Sequence, residues 1–143
     1  MTYAEKHGQM LEADYPYTAR DGTCKYVASK GKVDVKSILT VQKQSVPQLQ
    51  AAIAAGPVSV TIEADRTVFQ MYTSGILDST ACGTNLDHAV TAVGYGTENG
   101  VAYYLVRNSW GASWGEKGYI KIAAVPGAGI CGIQQVSVYP KTD

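Results

Sequence analysis

His88 and Asn108 are the two residues whose types and spacing could support acid–base chemistry. His88 begins a predicted strand over residues 88–95, and Asn108 directly follows a predicted strand over residues 101–107. The stretch that joins these strands contains Asn-Gly, which is typical of a β-hairpin turn. If the strands pair antiparallel, the imidazole and the carboxamide are neighbours at one rim of the sheet. An amide oxygen that accepts the imidazole N–H fixes the tautomer and aims the other ring nitrogen outward, as a general base requires.

The same residues also have a purely structural interpretation. His88 could be a hydrogen-bonded histidine at the rim of a sheet, and Asn108 an ordinary turn residue. Trp110 and Trp114, four residues apart in a glycine-rich segment, could shield a His–Asn pair from water or could be core aromatics beneath a loop. Spacing alone leaves both interpretations open.

The composition excludes several classes of function. The chain has 143 residues, of which 45% are hydrophobic and 17% charged, as expected for a folded protein with one core. Twelve basic residues balance twelve acidic ones, so we expect neither a nucleic acid nor a membrane as partner. No apolar run is long enough to span a bilayer, and the first seven residues lack the apolar segment of a signal peptide. Two distant histidines and the absence of Cys-x-x-Cys argue against a metal site, and we expect no cofactor.

Cys24, Cys82 and Cys131 form an odd set of cysteines. In an oxidising compartment, one pair and one unpaired residue is the simplest arrangement. Three reduced, buried cysteines are the alternative, which composition alone slightly favours.

Helices are predicted mainly in the first half of the chain. A short helix is expected within residues 1–11, followed by a loop over residues 12–34. The clearest helix covers residues 45–56. Ser45 can cap it, Pro47 lies in its first turn, and Gly56 is expected to end it in the left-handed conformation. A further short helix is expected from Asp65, as its cap, to Tyr72.

Strands dominate the second half. They are predicted at residues 33–41, 58–62, 88–95, 101–107, 119–122 and 136–139. The architecture expected from this pattern is α+β, with an antiparallel sheet or partial barrel and two or three peripheral helices.

Short motifs along nearly the whole chain resemble the papain family of cysteine peptidases, in particular its cathepsin L-like members. They include Asp87-His88-Ala89-Val90, Val93-Gly94-Tyr95-Gly96, Asn108-Ser109-Trp110-Gly111 and Cys82-Gly83. The resemblance implies that His88 is the catalytic histidine and that Asn108 orients it. It also implies that Trp110, with Trp114 nearby, shields this pair, and that Cys82 and Cys131 form a disulfide.

The resemblance further implies a pocket for a substrate side chain, formed by Thr61, Leu86, Ala89 and Val136. A mostly apolar pocket would prefer an apolar substrate residue next but one to the cleaved bond. Ordinary core packing is the alternative interpretation for Leu86, Ala89 and Val136.

The pattern of the family breaks at the nucleophile, because its Cys-Gly-Ser-Cys-Trp signature is not among these residues. In such enzymes the histidine and asparagine follow the nucleophile by about 130–150 residues, which would put it roughly 42 positions before Met1. Cys24 matches a structural half-cystine whose partner also lies upstream. The glutamine of the family's oxyanion hole is likewise expected upstream, and such a donor is worth about 100- to 1,000-fold in rate.

The resemblance also divides the chain. Residues 1–30 match a helix and a loop of the family's helical lobe, and residues 31–143 match its β-rich lobe. The helix that presents the nucleophile is not included, so the β-rich lobe is expected to expose an apolar face that needs a partner.

Three functions follow as hypotheses. The chain is the C-terminal portion of a papain-like peptidase, inactive alone and completed by a companion chain or segment that carries the nucleophile. Alternatively, it is a non-catalytic papain-like module whose exposed lobe face is covered by another protein. In the third hypothesis, Cys24 itself is the nucleophile. The family resemblance implies a lysosomal, vacuolar or secreted location, and a peptide as substrate if the centre is complete.

Overall fold

The computed structural model describes residues 2–142. It contains three α-helices and seven strands in the order α1 (Thr2–Lys6), β1 (Ser37–Thr40), α2 (Val46–Ala55), β2 (Val58–Ile62), α3 (Thr67–Gln70), β3 (Ile76–Leu77), β4 (His88–Glu98), β5 (Val101–Arg107), β6 (Tyr119–Ala123) and β7 (Ser137–Lys141). Short 3₁₀ helices lie at Ala28–Lys30, Thr80–Cys82 and Ile130–Gly132. The α+β class predicted from the sequence is therefore confirmed. No helix in the described part of the chain is long and apolar enough to cross a bilayer.

The seven strands form one sheet in the order β1-β7-β2-β4-β5-β6-β3. The pairs β2–β4, β2–β7, β4–β5 and β5–β6 are antiparallel, whereas β3 pairs with β6 in parallel. The expected antiparallel sheet is thus mostly correct. The short strand β3 was not predicted, since two residues carry no periodic signal.

The hairpin β4–β5 forms as the sequence predicts. Glu98 and Val101 face each other across the pair, which leaves Asn99 and Gly100 as a two-residue turn. Both residues have positive φ, 51° and 80° respectively, as a type I′ turn requires. A register shift between Ala92 and Gly94 interrupts the pairing nearer the start of β4.

The helix α2 also begins as predicted. The Ser45 hydroxyl accepts a hydrogen bond from the Gln48 N–H, and Pro47 occupies the first turn. The end of α2 differs from the prediction, because Gly56 has a φ of 162° and is extended rather than left-handed. The helix buries Leu49, Ala52 and Ile53 against the sheet.

Two other helices are shorter than predicted. The helix α1 stops at Lys6 because Gln9 forms a β-bridge with Val33 and draws the chain out of the helix. The helix α3 is preceded by Arg66, and no side chain caps it, so the cap predicted at Asp65 is wrong. Phe69 and Tyr72 are both buried.

The described chain divides into two packing units. Residues 40–139 hold most of the sheet. The buried apolar side chains of β2, β4, β5 and β6 alternate along the strands and pair with one another across them, so that all but Ala123 share one face. Residues 2–39 and 140–142 form the other unit, in which Tyr3, His7 and Tyr26 pack as an aromatic cluster. The functional residues predicted from the sequence, apart from Cys24, all lie in the unit of residues 40–139.

Candidate active site

His88 and Asn108 meet at the rim of the sheet. His88 is the first residue of β4, and Asn108 follows the last residue of β5, which pairs with Thr91. The His88 Nε2 atom lies 2.9 Å from the Asn108 Oδ1 atom. The backbone N–H of Asn108 donates to the Gly118 carbonyl at 2.9 Å and anchors the residue, whose side chain is buried.

The orientation of the Asn108 amide determines which nitrogen of the His88 ring carries a hydrogen. The Oδ1 atom also accepts the backbone N–H of Ser109 at 2.8 Å, which identifies this atom as the oxygen. His88 Nε2 must therefore carry a hydrogen and donate it. Nδ1 is then the ring nitrogen that is free to take up or release a proton.

Trp110 covers one face of the imidazole. The two rings are nearly parallel, with an interplanar angle of 27° and centroids 5.2 Å apart. Trp110 is itself held edge-on by Phe69 and Trp114, at centroid distances of 5.5 and 5.4 Å. Its position lets it keep water away from the His88–Asn108 hydrogen bond, and this bond is stronger in a drier environment.

Trp114 lies behind Trp110 and does not stack on the histidine. Its ring packs on Phe69 and Tyr72, and its Nε1–H donates to the Gln70 carbonyl at 3.0 Å. Trp114 therefore supports Trp110 from the core side. Of the two tryptophans, only Trp110 stacks on the His88 ring.

Three of the four predicted pocket residues are direct neighbours. Thr61 and Ala89 face each other across β2 and β4, and the Thr61 N–H donates to the Val136 carbonyl at 3.0 Å. Leu86 lies beside Gly132, where a Cβ atom would come within 2.8 Å of its Cδ2. Ala89 and Val136 are exposed and Thr61 and Leu86 half-buried, so none of the four belongs to the buried core.

The disulfide that the family resemblance implied is present. Cys82 and Cys131 are buried and joined by a disulfide. Cys24 is exposed, has no disulfide partner within the described residues, and belongs to the unit of residues 2–39 and 140–142. No group of three or more His, Cys, Asp or Glu side chains in residues 2–142 is arranged to hold a metal ion.

Comparison with known proteins decides which family this geometry represents. The family model described as papain family cysteine protease matches residues 1–141. The chain belongs to the papain family of cysteine proteases. It is 52% identical over 132 residues to the probable cysteine protease RD21B of Arabidopsis thaliana, and 44% identical over 143 residues to papaya proteinase 4 of Carica papaya.

Solved papain-family structures have the same fold. The bromelain protease of Ananas comosus is 38% identical with a TM-score of 0.90, and the match covers 99% of this chain and 67% of that one. The proform of the ragweed pollen allergen Amb a 11 is 35% identical with a TM-score of 0.92, covering 99% of this chain and 44% of that one.

The chain spans well under half the length of the curated relatives that it matches. The match covers 90% of this chain and 28% of RD21B, and 98% of this chain and 41% of papaya proteinase 4. The residues shared with the papain family correspond to the C-terminal portion of the protease.

Sequence reasoning missed Glu63 and the role of Asp87 in this papain-family lobe. Asp87 accepts the backbone N–H groups of Ala64 and Asp65 at 2.8 and 3.3 Å, and so holds the residue before His88. Glu63 is fully buried beside the same segment. Its burial carries no local signal, because Glu63 follows Ile62 at a position that alternation assigns to the outer face.

Proposed function

We propose that this chain supplies the histidine and asparagine of a Cys-His-Asn centre that hydrolyses peptide bonds. The observation that carries the proposal is the 2.9 Å contact between His88 Nε2 and Asn108 Oδ1 beneath the Trp110 ring. With Nε2 committed to Asn108, Nδ1 is the nitrogen that exchanges protons with a thiol and a substrate.

The proposed reaction has two stages. A cysteine thiolate, paired with the protonated imidazole, attacks the peptide carbonyl, and the imidazolium gives its proton to the leaving amine as an acyl-enzyme forms. The neutral imidazole then takes a proton from water, which attacks the acyl-enzyme and releases the second product. Asn108 keeps the ring in one orientation through both stages.

The attacking thiolate would come from residues outside these 143. The Cys-Gly-Ser-Cys-Trp signature does not occur among them, and the curated relatives are much longer than the part that matches. The source would be either an upstream stretch of the same polypeptide or a companion chain. The same segment would supply the oxyanion donor and cover the exposed face of the β-rich lobe. In this proposal, residues 1–30 belong to the helical lobe and residues 31–143 to the β-rich lobe.

The proposed substrate pocket lies beside the catalytic histidine. Thr61, Leu86, Ala89 and Val136 would receive the side chain of the residue next but one to the cleaved bond. Ala89 directly follows His88, and the exposure of Ala89 and Val136 leaves apolar surface available for an apolar substrate side chain.

The disulfide between Cys82 and Cys131 supports a location that oxidises thiols, such as a vacuole, a lysosome or the extracellular space. Of these, vacuoles and lysosomes are acidic, and a thiolate–imidazolium pair works at mildly acidic pH. Location and reaction are therefore compatible.

Peptidase assays of the protein isolated intact from its source, at a series of pH values, test the proposal. We expect activity at mildly acidic pH and loss of that activity in His88→Ala. Sequencing of the same material should find a segment that carries a Cys-Trp helix start. If intact material contains no such segment and cleaves no peptide, the non-catalytic module is the correct alternative.

A further inference from the structure

Glu63 is a buried carboxylate that the proposed mechanism does not use. It directly follows β2, and only 1% of its surface is exposed. One carboxylate oxygen accepts the Arg66 Nε–H at 2.6 Å, and the other accepts the backbone N–H of Asn85. These two donors lower the pKa of Glu63, the Asn85 N–H most strongly and Arg66 next, so that the side chain is ionised at physiological pH.

The Glu63 carboxylate lies directly against Gly83. A Cβ atom at Gly83 would overlap both carboxylate oxygens, and Gly83 has a φ of 75°, a conformation suited to glycine. The backbone N–H of Glu63 donates to the Cys131 carbonyl at 2.9 Å. Glu63 therefore joins the end of β2 to the 83–87 loop and to the turn that carries half of the disulfide.

The 83–87 loop has no buried side chain of its own to hold it. Between the buried Cys82 and Val90, every residue is exposed or half-buried. Its position depends on polar contacts: Glu63 holds the Asn85 N–H, the Thr84 carbonyl accepts from Gln135 Nε2 at 2.8 Å, and the Asp87 N–H donates to the Ile62 carbonyl at 3.0 Å.

This loop leads directly into the proposed site. Leu86, one of the proposed pocket residues, follows Asn85, and the strand β4 begins two residues later at His88. A shift of Asn85 would therefore be transmitted to the pocket wall first and to the histidine next. Leu86 is therefore flanked by two side-chain contacts, the bond of the Asn85 N–H to Glu63 on one side and the bonds of the Asp87 carboxylate to the Ala64 and Asp65 N–H groups on the other.

We propose that Glu63 is a positioning residue that, by holding Asn85, fixes Leu86 in the substrate pocket and the 83–87 loop at the entrance to β4. The proposal rests on the proposed peptidase function for the part that concerns substrate. It assigns Glu63 no contact with substrate and no proton transfer.

The chemistry of the two donors suggests a pair of substitutions at position 63 that separates the hydrogen-bond acceptor from the size of the side chain. Both partners of the carboxylate are N–H groups, so position 63 needs an acceptor. Glutamine keeps one acceptor, which can serve Asn85 while the half-exposed Arg66 side chain turns to water. Methionine has nearly the same length and volume but offers the Asn85 N–H only a weak sulfur acceptor. Glu98→Gln is the matched control, because it removes an exposed ion pair with Lys121 far along β4.

The test uses the complete protein, including the segment that carries the nucleophile, and measures two quantities in each variant. The first is amide hydrogen exchange of the Asn85 region. The second is kcat and KM for two peptides that differ by a leucine or an alanine at the residue next but one to the cleaved bond. We expect Glu63→Met to speed exchange about tenfold and to reduce the leucine-over-alanine preference by a similar factor, mainly through KM. Glu63→Gln and Glu98→Gln should stay within about threefold of the wild type.

Equal behaviour of Glu63→Met and Glu63→Gln would overturn the proposal, because the acceptor at position 63 would then make no difference. Faster exchange in Glu63→Met with an unchanged substrate preference would also overturn it, since Glu63 would then hold the loop without positioning the pocket. If the wild-type protein cleaves no peptide, the peptidase function fails by itself. In that case the difference in exchange between Glu63→Met and Glu63→Gln still tests whether the Glu63 side chain holds the Asn85 N–H. A faster exchange in Glu63→Met alone supports this contact, and equal exchange in both variants overturns it.

Discussion

The Asn108 carboxamide oxygen accepts two N–H groups at once, from the His88 ring at 2.9 Å and from the Ser109 backbone at 2.8 Å. The local contact to Ser109 fixes the amide, and the amide then fixes an imidazole that is twenty residues away in sequence. A side chain that is oriented by its own backbone in this way can hold the His88 ring without a further entropic cost of ordering itself.

Asn108→Ala should reduce kcat/KM by roughly 10- to 100-fold, because the ring loses an acceptor that bonds its charged form. Steady-state assays of the complete protein measure the effect. Ser109→Ala is the control, since it keeps the backbone N–H and should leave kcat/KM unchanged. Equal activity in wild type and Asn108→Ala would mean that Asn108 does not orient His88.

Trp110→Ala and Trp114→Ala should have different effects, because only the first tryptophan stacks on His88. We expect Trp110→Ala to lower kcat/KM several-fold with a small change in stability, since this side chain is 40% exposed. Trp114→Ala should lower the free energy of unfolding by about 2–4 kcal/mol, because it removes packing on Phe69 and Tyr72. Denaturant titration and kinetics of both variants separate the two effects. A larger loss of stability in Trp110→Ala than in Trp114→Ala would contradict this division.

The hairpin and the His–Asn pair could be predicted from the sequence because their signals are local. Asn99-Gly100 specifies a tight turn, and the turn brings the start of β4 and the end of β5 together. The start of α2 was predictable for the same reason, since Ser45 and Pro47 are adjacent to it.

The features that escaped prediction depend on contacts between distant segments. The strand β3 exists because Ile76 and Leu77 pair with β6, more than forty residues away. Glu63 is buried because its partners Gly83 and Asn85 come from another loop. The expected strand at residues 33–41 is reduced to Ser37–Thr40, with Val33 held instead in an isolated bridge to Gln9.

Removal of the disulfide by the double substitution Cys82→Ala and Cys131→Ala should lower the free energy of unfolding by about 2–4 kcal/mol. The bond closes a loop with a sequence separation of 49, which restricts the unfolded chain. Urea titration of the variant measures the loss. In the chain of these 143 residues alone, Cys24→Ala should change stability by less than about 0.5 kcal/mol, because this thiol is exposed and has no partner within the described residues. A large effect of Cys24→Ala on the unfolding midpoint would show that Cys24 has a structural partner.

The stability contributed by the Glu63 carboxylate should depend on pH. The Asn85 N–H and Arg66 lower the pKa of Glu63 below its ordinary value of 4.5. The unfolded chain therefore binds a proton before the folded one does, and the contribution is complete above about pH 4.5 and is lost as pH falls through the folded pKa. Unfolding midpoints of wild type and Glu63→Gln between pH 3 and pH 7 should converge towards the acidic end. A constant difference across this range would contradict the ionised, hydrogen-bonded state of Glu63.

We propose that His88 is the proton-handling partner of a thiolate supplied from outside these 143 residues. Covalent labelling of the intact protein with a thiol-directed epoxide, followed by peptide mapping, tests it most directly. We expect the label on a single cysteine beyond the residues described here, with labelling at mildly acidic pH slowed about a hundredfold in His88→Ala. Labelling at Cys24 in its place, or equal rates in wild type and His88→Ala, would contradict the claim.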